Sequence, residues 1–212
     1  MSRGKFITLE GSEGAGKSSA ITFLKDYLNH AHIDIHWTRE PGGSALAEDI
    51  RALLLHAKDI EPMSAKTELL LMFAAREQHL QTILPALAAG KWVISDRFID
   101  ASYAYQGGGR HIPERYIEFL EEWIVGNHLP DLTLLLDLPP EIGLQRTQKR
   151  EGQADRIERE KLDFFINVRQ GYLARAKKFP ERIKIIDATQ SEIAVQQQIK
   201  NLLDDFIMSH SQ

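Results

Sequence analysis

Lys5-Phe6-Ile7-Thr8-Leu9-Glu10-Gly11-Ser12-Glu13-Gly14-Ala15-Gly16-Lys17-Ser18 is the stretch that decides the fold. Its second half, Gly11 to Ser18, is a full match to the phosphate-binding loop pattern G-x-x-x-x-G-K-[ST]. Phe6 to Glu10 reads as a short strand, and Ser19 to Asn29 carries Ile21, Phe23, Leu24 and Leu28 at near-helical spacing. The order strand, loop, helix that the pattern needs is therefore present. Glycines let successive backbone N–H groups turn inward around a phosphate oxygen, and the start of the helix adds the positive end of its dipole. Gly11, Ser12, Glu13, Gly14, Ala15, Gly16, Lys17 and Ser18 are thus the expected cradle for nucleotide phosphates. Lys17 would reach the β- and γ-phosphates, and the Ser18 hydroxyl is suited to Mg²⁺.

Four further strand-like runs follow at Ile35 to Thr38, Trp92 to Asp96, Leu132 to Asp137 and Ile183 to Asp187. Helical spacing separates them, at Ser44 to His56, Ser64 to Ala89, Pro113 to Val125, Pro139 to Gln148, Glu158 to Lys178 and Ser191 to Met208. Such alternation predicts an α/β fold, a five-stranded parallel sheet flanked by helices in three layers, α/β/α, and the phosphate loop makes it one of the P-loop NTPase type. Ligands then collect at the carboxyl ends of the strands. Pro85 is expected to kink or shorten the third helix, and Gly107-Gly108-Gly109 to form a flexible turn.

The 212 residues suit one domain, and 43% hydrophobic with 26% charged is ordinary for a globular chain. There is no cysteine, which excludes disulfides, thiolate ligands and a cysteine nucleophile and suits a reducing cytoplasm. No apolar run approaches the ~20 residues of a membrane span, and a net charge of −4 argues against a nucleic-acid-binding surface. Anion sites must come from local clusters of cations.

Those clusters stand at the predicted strand ends. Asp96 and Arg97 close the third strand, where a carboxylate can support Mg²⁺ and a guanidinium can clamp a phosphate. Arg39 lies in Arg39-Glu40-Pro41-Gly42-Gly43 at the end of the second, with Arg51 on the following helix as a further candidate. Two cationic groups facing the phosphate loop suit a second anionic substrate, since transfer between phosphates requires both to be held against their repulsion. In the third helix Leu69, Phe73, Leu80, Leu84 and Leu87 form an apolar stripe that Arg76 interrupts. A buried guanidinium needs polar company, so Arg76 either snorkels outward or meets a group such as a nucleobase carbonyl. Phe73 is by default a core residue, and beside Arg76 it is also a stacking candidate. Ser102, Tyr105 and Gln106, in a polar and aromatic run before the triple glycine, can line a nucleoside pocket or pack a helix on the sheet. Arg146, Lys149, Arg150, Arg156 and Arg159 crowd residues 145–160 and suggest a basic lid that closes over the phosphates and excludes water.

Gly11 to Ser18, Arg39-Glu40-Pro41-Gly42-Gly43, Phe73 to Arg76, Asp96-Arg97-Phe98, Tyr105-Gln106-Gly107-Gly108-Gly109-Arg110 and Asp155-Arg156-Ile157-Glu158 together resemble the thymidylate kinases, in their bacterial form. The resemblance runs in order over nearly the whole chain. It implies a single nucleoside-monophosphate kinase domain over residues 1–212 with a lid at about 145–160. The implied reaction transfers the γ-phosphoryl group of ATP to dTMP with Mg²⁺, in dTTP biosynthesis, by a cytoplasmic homodimer. By the same resemblance Lys17 and Ser18 serve ATP and Mg²⁺, Asp96 supports the metal, and Arg39 and Arg97 clamp the dTMP phosphate. Phe73 would stack on thymine, Arg76 bond its O4, Ser102 read the base edge, Tyr105 lie near the sugar, and Glu13 stand close to both nucleotides. Some members carry a basic residue inside the phosphate loop; Ser12, Glu13, Gly14 and Ala15 supply none here, so the lid must provide it. Arg150 is the leading candidate for that role, with Lys149 and Arg146 as alternatives.

Two other classes fit the loop less well. A nucleotide-hydrolysing switch would carry Asn-Lys-x-Asp or Asp-x-x-Gly, and the chain has neither. A nucleoside salvage kinase would have no use for Arg39 and Arg97, because its acceptor lacks a phosphate.

Overall fold

The computed structural model describes residues 3–56, 62–147 and 155–210. Its sheet contains β1 (Phe6–Glu10), β2 (Ile35–Arg39), β3 (Trp92–Asp96), β4 (Leu132–Asp137) and β5 (Ile183–Asp187). All pairings are parallel, in the order β2-β3-β1-β4-β5. Every residue of β1 is buried, as its central place requires, whereas the edge strands β2 and β5 are partly exposed.

Side chains alternate across the sheet with period two. Ile7 and Leu9 of β1 and Leu132, Leu134 and Leu136 of β4 join one core with Leu24 and Leu28 of α1 (Lys17–His30) and Ile199 and Leu203 of α8 (Glu192–His210). Phe6 points the other way, into a cluster with Leu69, Phe73, Leu80 and Ile83 of α3 (Ala65–Ala88) and with Phe98. Leu135 joins Phe165, Val168 and Tyr172 of α7 (Leu162–Lys178) on that same face. The expected layers, helix on sheet on helix, are present.

Differences from the sequence reading have local causes. Pro85 does not shorten α3, which continues to Ala88; in the last turn only a few bonds remain for a missing N–H to weaken. The helix expected from Glu158 starts at Leu162 instead. Before it, the Asp155 carboxylate takes the N–H groups of Ile157 and Glu158, each at 2.8 Å, and Glu158 returns a bond to Asp155 N–H at 3.1 Å, so the chain closes into a turn. The triple glycine is not a free turn. A short helix α4 (Ile99–Ser102) widens into a π-helical segment, Tyr103–Gly109, packed on α7. A side chain at Gly108 would sit 2.4 Å from Asn167 O, and one at Gly109 2.5 Å from the Phe164 ring. The glycines let the two helices touch. Helix α5 (Glu114–Leu120) likewise continues as a π turn to Val125.

Candidate active site

At the carboxyl end of β1 the loop turns through Gly11, Gly14 and Gly16, all at positive φ, and Gly16 delivers the chain into α1 at Lys17. The fit is close: a side chain at Gly14 would lie 2.3 Å from Gly143 O of α6 (Pro140–Thr147). Gly14 to Ser19, the carboxyl ends of β2 and β3, α2 (Ala45–His56), α3 and the start of α8 line one cleft of ~620 Å³, a size that suits small-molecule ligands. Lys17 reaches back to Gly11 O at 3.4 Å. Burial first, and then the Arg97 charge, lower its pKa.

Arg97 is the centre of the polar network. It takes left-handed backbone geometry, φ 71, which an L-residue adopts only when its surroundings hold it there. Three bonds do so: Arg97 N–H to Leu9 O at 3.0 Å, Ser95 Oγ–H to Arg97 O at 2.7 Å, and Phe98 N–H to Glu10 Oε1 at 2.7 Å. The guanidinium donates to Gly11 O at 2.8 Å, Tyr172 Oη at 2.9 Å and Glu13 Oε1 at 2.9 Å, and lies over the Tyr105 ring. Tyr105 also donates to Glu13 Oε1 at 2.9 Å. Glu13, Arg97, Tyr105 and Gln106 all line the cleft.

The Arg39-Glu40-Pro41-Gly42-Gly43 segment is pinned from below and above. Buried Glu40 accepts from Arg76 Nε at 2.9 Å and pairs with His79 at 3.1 Å. Glu48 accepts from Gly43 N–H and Arg39 Nη2, each at 3.0 Å, and Arg51 donates to Pro41 O at 2.9 Å. Arg39, Arg51 and Arg97 thus face one cleft with Lys17, and the candidate Arg51 joins the other three.

The residues expected to read the base stand behind the wall of the cleft. Phe73 is in the core, with Phe6, Leu80 and Phe98 around it, and Ser102 is fully buried. Arg76 is also fully buried, and it meets protein partners: Glu40, Ser102 Oγ at 3.0 Å and Phe98 O at 3.0 Å, with the Phe73 ring 4.8 Å from its guanidinium carbon. None of the three lines the cleft. The face that α3 turns to it carries Glu68 and Met72. One residue along a helix is a rotation of roughly 100°, so Met72 reaches the cleft while Phe73 stays in the core, where the apolar stripe puts it. Position 72, just beside the stripe, was the available signal.

Arg146 sits at the other end of the cleft, donating to Gly14 O and Ala188 O, both at 3.3 Å, near Gln190 and Gln196. Arg156, within the segment read as the lid, donates to Leu54 O at 2.8 Å and Glu68 Oε2 at 2.7 Å. Lys149 and Arg150 lie outside the described residues. Asp137, at the end of β4, is held by Arg169 through two bonds, at 2.7 and 2.8 Å. Asp96 differs: its Oδ1 is buried without a hydrogen-bond partner among the described residues, and it shares the cleft with the Ser18 hydroxyl. An unpaired carboxylate oxygen beside a phosphate loop fits a hard cation that takes oxygen ligands.

Comparison with known proteins agrees with this geometry. The sequence profile of thymidylate kinase matches residues 9–199. A thymidylate kinase of Vesicomyosocius okutanii subsp. Calyptogena okutanii is 54% identical over 204 residues, 96% of this chain and 98% of that one. One from Alkalilimnicola ehrlichii is 55% identical over 196 residues, 92% and 90% of the two chains. The crystal structure of thymidylate kinase from Ehrlichia chaffeensis superposes with a TM-score of 0.75 at 31% identity, covering 95% of this chain and 99% of that one. With a profile match over most of its length and relatives above half identity, the chain belongs to the thymidylate kinase family of ATP-dependent nucleoside-monophosphate kinases.

Proposed function

We infer that the chain transfers the γ-phosphoryl group of ATP to dTMP, giving ADP and dTDP, and that the two ends of its cleft divide the work. The observation that carries this reading is the cleft's second set of cations: Arg39, Arg51 and Arg97 share it with Lys17 and the phosphate loop. A protein that only hydrolyses nucleotide has no second phosphate to hold.

At the donor end, Gly11 to Ser18 cradle the ATP phosphates, Lys17 reaches the β- and γ-phosphates, and Arg146 lies where the donor base would emerge. At the acceptor end, Arg39, Arg51 and Arg97 hold the dTMP phosphate. Glu13, tied to Arg97 and Tyr105, keeps both in register. Tyr105 borders the sugar, where it disfavours a 2′-hydroxyl. Met72 and Gln106 line the base pocket, with Phe73, Arg76 and Ser102 as the buried layer that supports it. An acceptor phosphate oxygen attacks the γ-phosphorus, and the bond from that phosphorus to the β–γ bridging oxygen breaks. A phosphate monoester is already largely deprotonated at neutral pH, so no general base is required. The protein's contribution is alignment and charge compensation. Ser18 and Asp96 would hold Mg²⁺, which when bound neutralises charge shared by the donor phosphates. The single domain carries its lid at about 145–160, and Arg150 supplies the cation that compensates the transferring group.

We also assign a homodimer. Leu46 and Leu53 of α2 and Leu70 of α3 are each more than half exposed on two helices that pack together. Exposed leucines on packed helices fit a second copy of the chain, and Leu70→Asp should yield monomers in analytical ultracentrifugation. Among the described residues no helix is long and apolar enough to cross a membrane, and the chain has no cysteine; we place it in the cytoplasm.

The test is ADP release with ATP and Mg²⁺ against dTMP, dUMP, dCMP, AMP, GMP and thymidine, with a no-acceptor control. Turnover that depends on dTMP supports the assignment. Release without acceptor would make the protein a hydrolase, and preference for thymidine would remove the purpose of the arginine clamp.

A further inference from the structure

Glu68 is almost completely enclosed, 1% exposed, yet in the wall of the cleft it accepts from three side chains. It takes the Gln106 amide Nε2 at 2.8 Å, Arg110 Nε at 3.1 Å and Arg156 Nη2 at 2.7 Å. Two guanidiniums compensate its charge, so the carboxylate is free to act as acceptor alone. A group that only accepts dictates which end of a neighbouring amide it faces. Gln106 must turn its NH₂ toward Glu68, and its carbonyl oxygen must then point elsewhere. That oxygen, Oε1, is buried without a hydrogen-bond partner among the described residues, and Gln106 lines the same cleft as Met72.

We propose that Glu68 is a positioning residue that sets the acceptor-base specificity by holding the NH₂ of the Gln106 amide and so leaving the amide oxygen as the end that a bound base can meet. The inference rests on the acceptor assignment made above and deepens it. A pocket that offers a fixed acceptor takes a pyrimidine whose ring N3 carries hydrogen, as in thymine and uracil. It rejects cytosine, whose N3 is itself an acceptor: the two lone pairs would face each other, and Oε1 would stay buried without a bond. A missing or mismatched hydrogen bond of this kind discriminates far more strongly than a change of one methyl group. The 5-methyl group plays no part, so Glu68 separates dTMP and dUMP from dCMP and leaves dTMP against dUMP to other contacts.

The experiment measures kcat/KM for dTMP, dUMP and dCMP in the wild type, Glu68→Gln and Gln106→Met. Glutamine at 68 can present either end of its amide, so Gln106 regains the freedom to flip. The dCMP-to-dTMP ratio should then rise at least tenfold over the wild type, while dUMP-to-dTMP stays within twofold. Gln106→Met leaves the Glu68 ion pairs in place and removes the oxygen. It should lower kcat/KM for dTMP and dUMP by at least tenfold with a much smaller change for dCMP. A parallel fall on all three acceptors in either folded variant, with the ratios unchanged, would make Glu68 merely structural and overturn the proposal. So would a wild type that uses dCMP as well as dTMP. If Glu68→Gln does not fold, Gln106→Met decides alone. A wild type with no dTMP-dependent ADP release would sink the assigned reaction instead, which keeps the two failures apart.

Discussion

Replacing Glu10 with glutamine should stabilise the protein at alkaline pH and leave its stability unchanged in mild acid. Glu10 is fully buried at the end of β1, where it accepts from Phe98 N–H and from the Tyr172 hydroxyl, each at 2.7 Å. Burial is the main influence on its carboxyl, and the nearby Asp100 carboxylate adds to it. Arg97, the Tyr172 hydroxyl and Phe98 N–H oppose them, and the balance lifts the pKa from 4.5 to about 8. The folded pKa lies above the unfolded one. The folded protein therefore keeps, between those two values, a proton that the unfolded chain has released. The stability linked to that proton is complete below about pH 4.5 and is lost as pH rises through about 8. At about 1.4 kcal/mol for each pH unit, the whole loss approaches ~5 kcal/mol, an upper bound because a buried site relaxes. The introduced glutamine keeps the shape of the protonated acid and titrates nowhere. Thermal unfolding of both proteins across pH is the assay, because the titrations of Asp100, Arg97, Tyr172 and Lys17 are shared and largely cancel in the difference. The melting temperatures should coincide near about pH 5 and separate steadily above it, with the variant higher by up to ~10–20 °C near about pH 9. Parallel curves over the whole range would refute the reasoning, and would mean that Glu10 is ionised in the fold as a partner of Arg97.

Arg39→Ala should raise KM for dTMP by ~10- to 100-fold, the worth of one charge-assisted phosphate contact, and leave KM for ATP nearly unchanged; equal losses on both would remove Arg39 from the acceptor clamp. Met72→Ala and Phe73→Ala should separate cleanly. The first weakens dTMP, read as KM, with little change in melting temperature, and the second costs ~3–5 kcal/mol of stability because it empties part of a core cluster. The reverse pattern would restore Phe73 as the stacking residue. Arg150→Ala should lower kcat with little change in either KM, and an unchanged kcat would move the transition-state role to Lys149, since Arg146 is engaged with Gly14 O and Ala188 O at the donor end.

The loop and the sheet were legible because their signals are local. Gly11 to Ser18 carries its geometry in consecutive residues, and the strands alternate with period two, so that Ile7 and Leu9 had to share a face with each other and not with Phe6. The strand-end charges Arg39, Asp96 and Arg97 were legible for the same reason, since the parallel fold puts every carboxyl end at one rim. What escaped depended on partners far away in sequence. The company of Arg76 is Glu40, 36 residues distant, and nothing in the helix itself says whether a buried cation is met by a substrate or by the protein. The left-handed turn at Arg97 is held by Glu10, 88 residues before Phe98, and a glutamate at the end of a strand announces no such task.

The triple glycine shows the same limit in reverse. By composition it reads as a flexible turn, because glycine removes the restraint that a side chain imposes. Here Gly108 and Gly109 are enclosed by Asn167 O and the Phe164 ring, and the missing side chains allow α7 to press the π-helical segment into place. Tyr105 and Gln106 stand in that segment with their side chains bonded to Glu13 and Glu68. Backbone freedom in the unfolded chain has become a rigid shelf for the base pocket, and a π turn, with its wider radius, gives consecutive side chains directions that an α-helix would not. A substitution at Gly108 should therefore act on the acceptor nucleotide before it acts on ATP: the shelf carries Tyr105 and Gln106, while the donor loop is built on β1 and α1.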